Sequence, residues 1–232
     1  MNALAPKGDL RINLKQPWLE IDLGRQRSIL SHAPYRPGFV NAHKILWREV
    51  RNADLAPDFD AHLWLSDCIA SRDPAAVETT VAMMTSRRIS AYRSCQFGPV
   101  QAVATVGLGN AERVGHRRDH ARGIAAGYGT INIAAVLDAG LSPSAMIEAL
   151  TIVAQARTAA IMAAGLRLPF GLATGTGTDC IVLAADDGPT AYAGLHTALG
   201  EALGRACYQA VLQGAKDWIA EQILHPQDNQ TA

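Results

Sequence analysis

The sequence predicts an α+β fold: a single domain with a central mixed β-sheet, long helices packed on it, and one βαβ crossover. Three observations predict it. Residues 100–108, 130–137 and 180–185 are mostly apolar runs of strand length, the pattern of strands covered on both faces. Two long stretches, 142–164 and another from about 196 onward, repeat small and apolar residues at helical spacing. Strand 130–137, helix 142–164 and strand 180–185 follow one another as a crossover unit, which makes the two strands parallel. A chain of 232 residues buries roughly 70–75% of its surface on folding, enough for one core.

Taken in order, residues 9–32 read as successive strands. Ile12 and Leu14 alternate with polar neighbours, as do Leu19, Ile21 and Leu23, and Gly24-Arg25 stands at hairpin spacing before residues 28–30. Pro34 and Pro37-Gly38 interrupt the chain, and 39–50 resumes as extended structure around Asn41. Residues 60–71 predict a helix with Leu63, Trp64 and Ile69 available to pack, and 79–84 and 89–97 predict further strands. After 100–108, a loop over 111–128 carries Arg113, His116, Arg117, Arg118, Asp119, His120 and Arg122. Gly129-Thr130-Ile131-Asn132 opens the next strand. Ser142 and Pro143 suit the cap and first position of the helix that follows, and Gly165 suits its stop. The last helix aligns Leu199, Leu203, Cys207, Val211, Ala215 and Trp218 on one stripe, with Glu201 and Arg205 paired at i,i+4. Residues 1–8 and 225–232 are expected to be flexible.

Composition narrows the function classes. The formal net charge is +0, so no overall field recruits nucleic acid or a membrane surface. No uninterrupted apolar run approaches the roughly 18–20 residues of a membrane span, and the first residues lack the apolar core of a secretion signal. A cytoplasmic protein is the expectation. Cys68, Cys95, Cys180 and Cys207 form no CxxC pair, which argues against structural zinc and disulfides. Cys180 and Cys207 sit in apolar runs as small core residues. His116 and His120 have the spacing of two metal ligands, but Arg117 breaks the HExxH pattern, and no metal or other cofactor is expected. The small faces of the long helices suit a homo-oligomer.

The chemistry points to Thr174-Gly175-Thr176-Gly177-Thr178-Asp179. Glycines there let the chain turn sharply and let a ligand approach main-chain amides. Threonines add hydroxyls and Asp179 adds a carboxylate. No lysine follows, so this is not a nucleotide-cradling P-loop. If strand 100–108 runs antiparallel to the crossover pair, one sheet edge collects Asn110, Thr130, Asn132 and the whole 174–179 loop. Thr174, Gly175, Thr176, Gly177 and Thr178 are then candidate substrate contacts with Asn110, Thr130 and Asn132, and Asp179 is the candidate general base or water-orienting group. The other reading of Asp179 is a turn cap.

Several segments, taken in order, resemble the adenosylcobinamide amidohydrolase family. They are Ile29-Leu30-Ser31-His32-Ala33 with Asn41, Thr105-Val106-Gly107-Leu108-Gly109-Asn110, Gly129-Thr130-Ile131-Asn132-Ile133, residues 151–160, residues 173–182, and Gly194-Leu195-His196-Thr197-Ala198-Leu199-Gly200. The resemblance implies hydrolysis of the amide between a corrinoid propionyl arm and aminopropanol, giving adenosylcobyric acid for coenzyme B12 salvage. Cobalt would arrive inside the corrinoid substrate. It also favours His196 as the group that protonates the departing amine, the other reading being a helix-start histidine bonded to backbone. Glu201, a turn later, is the candidate to orient it or else a charge favoured at the positive helix end. The alternatives are a non-catalytic corrinoid-binding protein and a different small-molecule hydrolase using the glycine-rich loop. Two departures stand out. This chain has Ala154-Gln155-Ala156-Arg157 where the family often has Thr-Glu-Ala-Lys, and His32 and Pro37 where small residues and glycines are common.

Overall fold

The computed structural model describes residues 10–51, 59–116 and 129–224. One sheet of eight strands carries the fold, in the spatial order 80–85, 38–49, 18–31, 180–187, 131–141, 100–106 and 93–97, with 11–15 alongside 18–31. Its strands are β1 (Arg11–Lys15), β2 (Trp18–Ser31), β3 (Gly38–Glu49), β4 (Thr80–Thr85), β5 (Arg93–Phe97), β6 (Val100–Val106), β8 (Ile131–Leu141) and β12 (Cys180–Asp187). The short strands β7 (Ala111–Glu112), β9 (Arg167–Leu168), β10 (Gly171–Leu172) and β11 (Gly175–Thr176) make two small ribbons. The helices are α1 (Ala61–Arg72), α2 (Pro143–Ala164) and α3 (Ala198–Leu224).

The predicted crossover is present. β8 and β12 pair in parallel, Cys180 opposite Asn132, with α2 between them in sequence. β6 runs antiparallel to β8, Thr105 opposite Asn132. A second parallel pair, β3 and β4, is joined through α1, a crossover the sequence reading did not separate from its loops. α2 is bounded as expected. The Ser142 hydroxyl accepts from the Ala145 amide at 3.2 Å, Pro143 takes the first position, and Gly165 ends the helix in the left-handed region at φ 82°.

Two early expectations need correction. Gly24-Arg25 is not a hairpin turn, because β2 runs through it as one 14-residue strand. The register slips between Asp22 and Arg27, so the glycine, at φ 70°, serves a bulge rather than a reversal. The true hairpin lies at Gln16-Pro17, between β1 and β2. Residues 89–97 are not one strand either. Ile89–Ala91 forms a 3₁₀ turn before β5.

Apolar sequence on β6, β8 and β12 follows from burial on both faces. One face meets α2 and α3 through Ile133, Ile181, Leu183, Ile152, Leu203 and Val211, all nearly inaccessible. Alanines and Gly214 let α3 lie close, since a Cβ on Gly214 would come within 2.8 Å of Val106. On the other face the sheet curls around a core that includes Ile21, Ile45, Met83, Ala134 and Val182. The curl brings β4 against β8, although three strands separate them in the sheet. The buried Asn132 amide closes it by donating to the Met84 carbonyl at 2.6 Å. α2 is long and apolar enough by length and composition to cross a membrane, but Met146, Ala149, Ile152, Val153, Ala160 and Ile161 pack in the core between the sheet and α3, while Ile147 and Met162 are exposed.

Asn132→Ala should therefore leave the Met84 carbonyl unsatisfied in the interior, at a cost of about 1–3 kcal/mol. A denaturant titration should show a lower midpoint at unchanged slope.

Candidate functional site

The 174–179 loop sits where the end of β6 and the starts of β8 and β12 meet. A two-stranded ribbon holds its first part, with Gly175 opposite Glu112 and Thr176 opposite Ala111. The Thr174 amide donates to the Glu112 carbonyl at 2.8 Å, and its hydroxyl accepts from the Val114 amide at 2.8 Å. The second part is tied to the sheet. The Thr130 hydroxyl lies 2.6 Å from the Thr178 carbonyl, and the Thr178 hydroxyl lies 3.1 Å from the Gly129 carbonyl. The Asn110 side-chain amide donates to the Thr178 hydroxyl at 3.2 Å. The chain thus brings Asn110, Thr130, Asn132 and the whole 174–179 loop to one edge, as the topology implied.

They do not play equal parts. Asn132, Thr130 and Thr174 are buried and engaged by the protein itself, whereas Gly177 and Thr178 reach solvent. Two main-chain amides of the loop are also engaged. That of Thr176 donates to the Asp179 carboxylate at 3.0 Å, and that of Gly177 to the Asn110 carbonyl at 3.4 Å.

Asp179 is the centre of the site. Its side chain is only 10% exposed. One carboxylate oxygen takes the Thr176 amide and, at 2.5 Å, the Thr176 hydroxyl. The other pairs with the Arg157 guanidinium from α2. Gly175 makes this possible, because a Cβ there would overlap the Asp179 carboxylate and come within 2.7 Å of the Arg157 guanidinium. Burial lowers the Arg157 pKa from its usual value. The loop also meets β2, with the His32 Nε2 lying 3.2 Å from the Asp179 carbonyl. Desolvation, then the Arg157 charge, lowers the His32 pKa below that of an ordinary histidine.

Sequence reasoning missed both Arg157 and His32 as site residues. For Arg157 a signal existed: the one basic residue of α2 stands where the resembling family often carries Lys. Gln155, two residues earlier, faces solvent, so it takes no part in the Asp179–Arg157 contact.

The expected grouping of His196 and Glu201 with Asp179 is not what the structure builds. β12 starts beside Asp179 and its eight residues advance roughly 25 Å, at about 3.3 Å each. The chain after it stays at that far edge. Thr190 bonds to Gly140 and Ser142, and the Ala193 amide donates to the Glu148 carboxylate at 2.7 Å, beside the first turns of α2. His196 is exposed there, and Thr197 caps α3 by accepting from the Gly200 amide at 2.9 Å. Glu201 meets Arg205 at 3.5 Å on the helix surface, as its spacing implied. The linker is long enough to return, but local hydrogen bonds hold it where the strand ends.

Other candidates sort simply. His116 stacks on Phe170, ring centroids 5.1 Å apart, while His120 and residues 117–128 lie outside the described residues. Among the described residues no group of three His, Cys, Asp or Glu side chains could hold a metal ion. Burial pushes the Cys180 and Cys207 thiols up to about 12, which leaves neither as a thiolate nucleophile near neutrality. A cavity of about 270 Å³ lies elsewhere, between β2, β3 and α1. Its charges are matched internally, Arg72 to Glu20 at 2.6 Å and Lys44 to Asp73 at 3.8 Å.

Two outcomes check this description. Gly175→Ala should cost about 1–3 kcal/mol through overpacking, seen as a fall in Tm of about 2–4 °C for each kcal/mol. A thiol reagent at pH 8 should leave Cys180 and Cys207 unmodified until the protein unfolds, as peptide mapping of the labelled chain would show.

The family model described as adenosylcobinamide amidohydrolase matches residues 4–223. An adenosylcobinamide amidohydrolase of Halobacterium salinarum is 29% identical over 173 residues, 71% of this chain and 70% of that protein. An uncharacterised protein of Methanocaldococcus jannaschii is 36% identical over 89 residues, 37% of this chain and 35% of its own length. The family match spans both halves of the crossover and the loop between α2 and β12, so this chain belongs to the adenosylcobinamide amidohydrolase family.

Proposed function

We propose that this protein, in the cytoplasm, hydrolyses the amide joining the corrin propionyl arm of adenosylcobinamide to aminopropanol. The products are adenosylcobyric acid, which re-enters coenzyme B12 assembly, and the free amino alcohol. The observation that carries this reading is the Asp179 carboxylate held between Arg157 and Thr176 beside an exposed glycine turn, in a chain of this family. A carboxylate fixed in this way orients a water molecule, or the Thr176 hydroxyl, toward a carbonyl carbon. The Arg157 charge stands within the same contact, where it favours negative charge developing on the carbonyl oxygen. The exposed Gly177 and Thr178, with Asn110, meet the carboxamide arms of the macrocycle. Thr130, Asn132 and Thr174 keep the loop in place from beneath.

Incubating the pure protein with adenosylcobinamide should release aminopropanol. Asp179→Asn should lower turnover by about 10²-fold or more, the scale set by losing the group that positions the attacking nucleophile. His196→Ala and Glu201→Ala, at the far edge, should leave turnover within about twofold of the parent. Adenosylcobinamide bound tightly and recovered intact across the working pH range would return the chain to a binding role.

A further inference from the structure

We infer that His32 is the proton-transfer group of this site, taking a proton from the attacking water and returning it to the departing amine. This inference rests on the amide-hydrolase reading above.

The geometry begins at the end of β2. The His32 amide donates to the Ile181 carbonyl at 3.4 Å, which sets the residue beside the first residues of β12. Its Nε2 lies 3.2 Å from the Asp179 carbonyl. A carbonyl oxygen only accepts, so the ring proton belongs on Nε2 and the lone pair on Nδ1. His32 keeps access to solvent. A neutral imidazole with a fixed tautomer, against the residue that anchors the glycine turn, is the arrangement a general base requires. The charge that acts on it is Arg157 from α2, whose guanidinium pairs with the Asp179 carboxylate. Desolvation and the Arg157 charge both favour the neutral, proton-accepting ring.

The step balances. As water oxygen bonds to the carbonyl carbon, one water proton moves to Nδ1. The imidazolium then gives that proton to the amide nitrogen as the C–N bond breaks. A carboxylic acid and an amine leave, and His32 is neutral again. The same chain has Gln155 where relatives often carry Glu, and it adds a titratable group at the loop where small residues are common.

The experiment measures aminopropanol release against pH for the parent, His32→Gln and His32→Asn, with Tm recorded for each. In the parent, activity needs the neutral ring. It should therefore hold at neutral pH and fall as pH drops through a value below the usual histidine pKa of about 6.5. Both variants should lose about 10²-fold or more in kcat with KM little changed, and the limb of the profile set by His32 should disappear. Added imidazole should restore part of the rate to His32→Ala. Variants that fold, turn over like the parent and keep its acid limb overturn the inference while the reaction stands. A parent that releases no aminopropanol overturns the reading beneath it. If the variants fold poorly, the acid limb of the parent decides alone: a midpoint at or above about 6.5 contradicts the lowered ring.

Discussion

The contact between Asp179 and Arg157 is the constraint on which the rest of the site depends. It joins a helix to a turn at the point where the crossover re-enters the sheet. Without it a largely buried carboxylate and a desolvated guanidinium would each stand alone, and breaking such a pair leaves a costly uncompensated charge. Gly175 has no side chain because the pair occupies the space one would need. Thr176 turns back to the same carboxylate through both its amide and its hydroxyl. The turn beyond is therefore pinned at its base and open at Gly177 and Thr178. Rigidity beneath and access above is what a reacting loop needs, since a misplacement of about 1 Å can cost about 10²-fold in rate.

How much of this was legible in the sequence follows from which signals are local. The caps of α2 are local, so Ser142, Pro143 and Gly165 gave its ends directly. The parallel pairing of β8 and β12 was legible from order and length, because a strand–helix–strand unit leaves few other solutions. Gly24 was misleading for a physical reason. A glycine with positive φ serves a bulge as well as a turn, and only cross-strand register tells them apart. Convergence of Asn110, Thr130 and Asn132 on the loop followed from strand direction alone. Their division into support and surface did not, because burial of Asn132 depends on β4 arriving from across the curl.

The His196 misplacement has a similar origin. A sequence motif records that residues matter but not which edge they occupy. Here β12 carries the chain away from Asp179, and short hydrogen bonds around Thr190 and Ala193 keep it there. Those bonds, with the close approach of Gly200 to the Gly194 carbonyl, give the segment around His196 a structural role away from Asp179. It docks the start of α3 onto α2. His32 and Arg157 lay 147 and 22 positions from Asp179 (179 − 32 and 179 − 157), beyond the reach of any local rule.

The exposure of Gln155 bears on whether the loss of the family's common acid disables this chain. A residue at 155 projects from the solvent face of α2, while Arg157 turns toward the loop. Replacing Glu by Gln there removes a charge from outside the Asp179 contact and leaves the pair intact. Replacing Lys by Arg at 157 acts inside the contact but keeps the cation, and adds a planar fork suited to a carboxylate. The two departures thus differ in kind: one is peripheral, the other preserves sign at the centre. An acid missing from the outside of a helix can remove a group that acts on bound substrate, but it does not dismantle the carboxylate that the fold positions. The contact that survives in this chain is the one built between α2 and the start of β12.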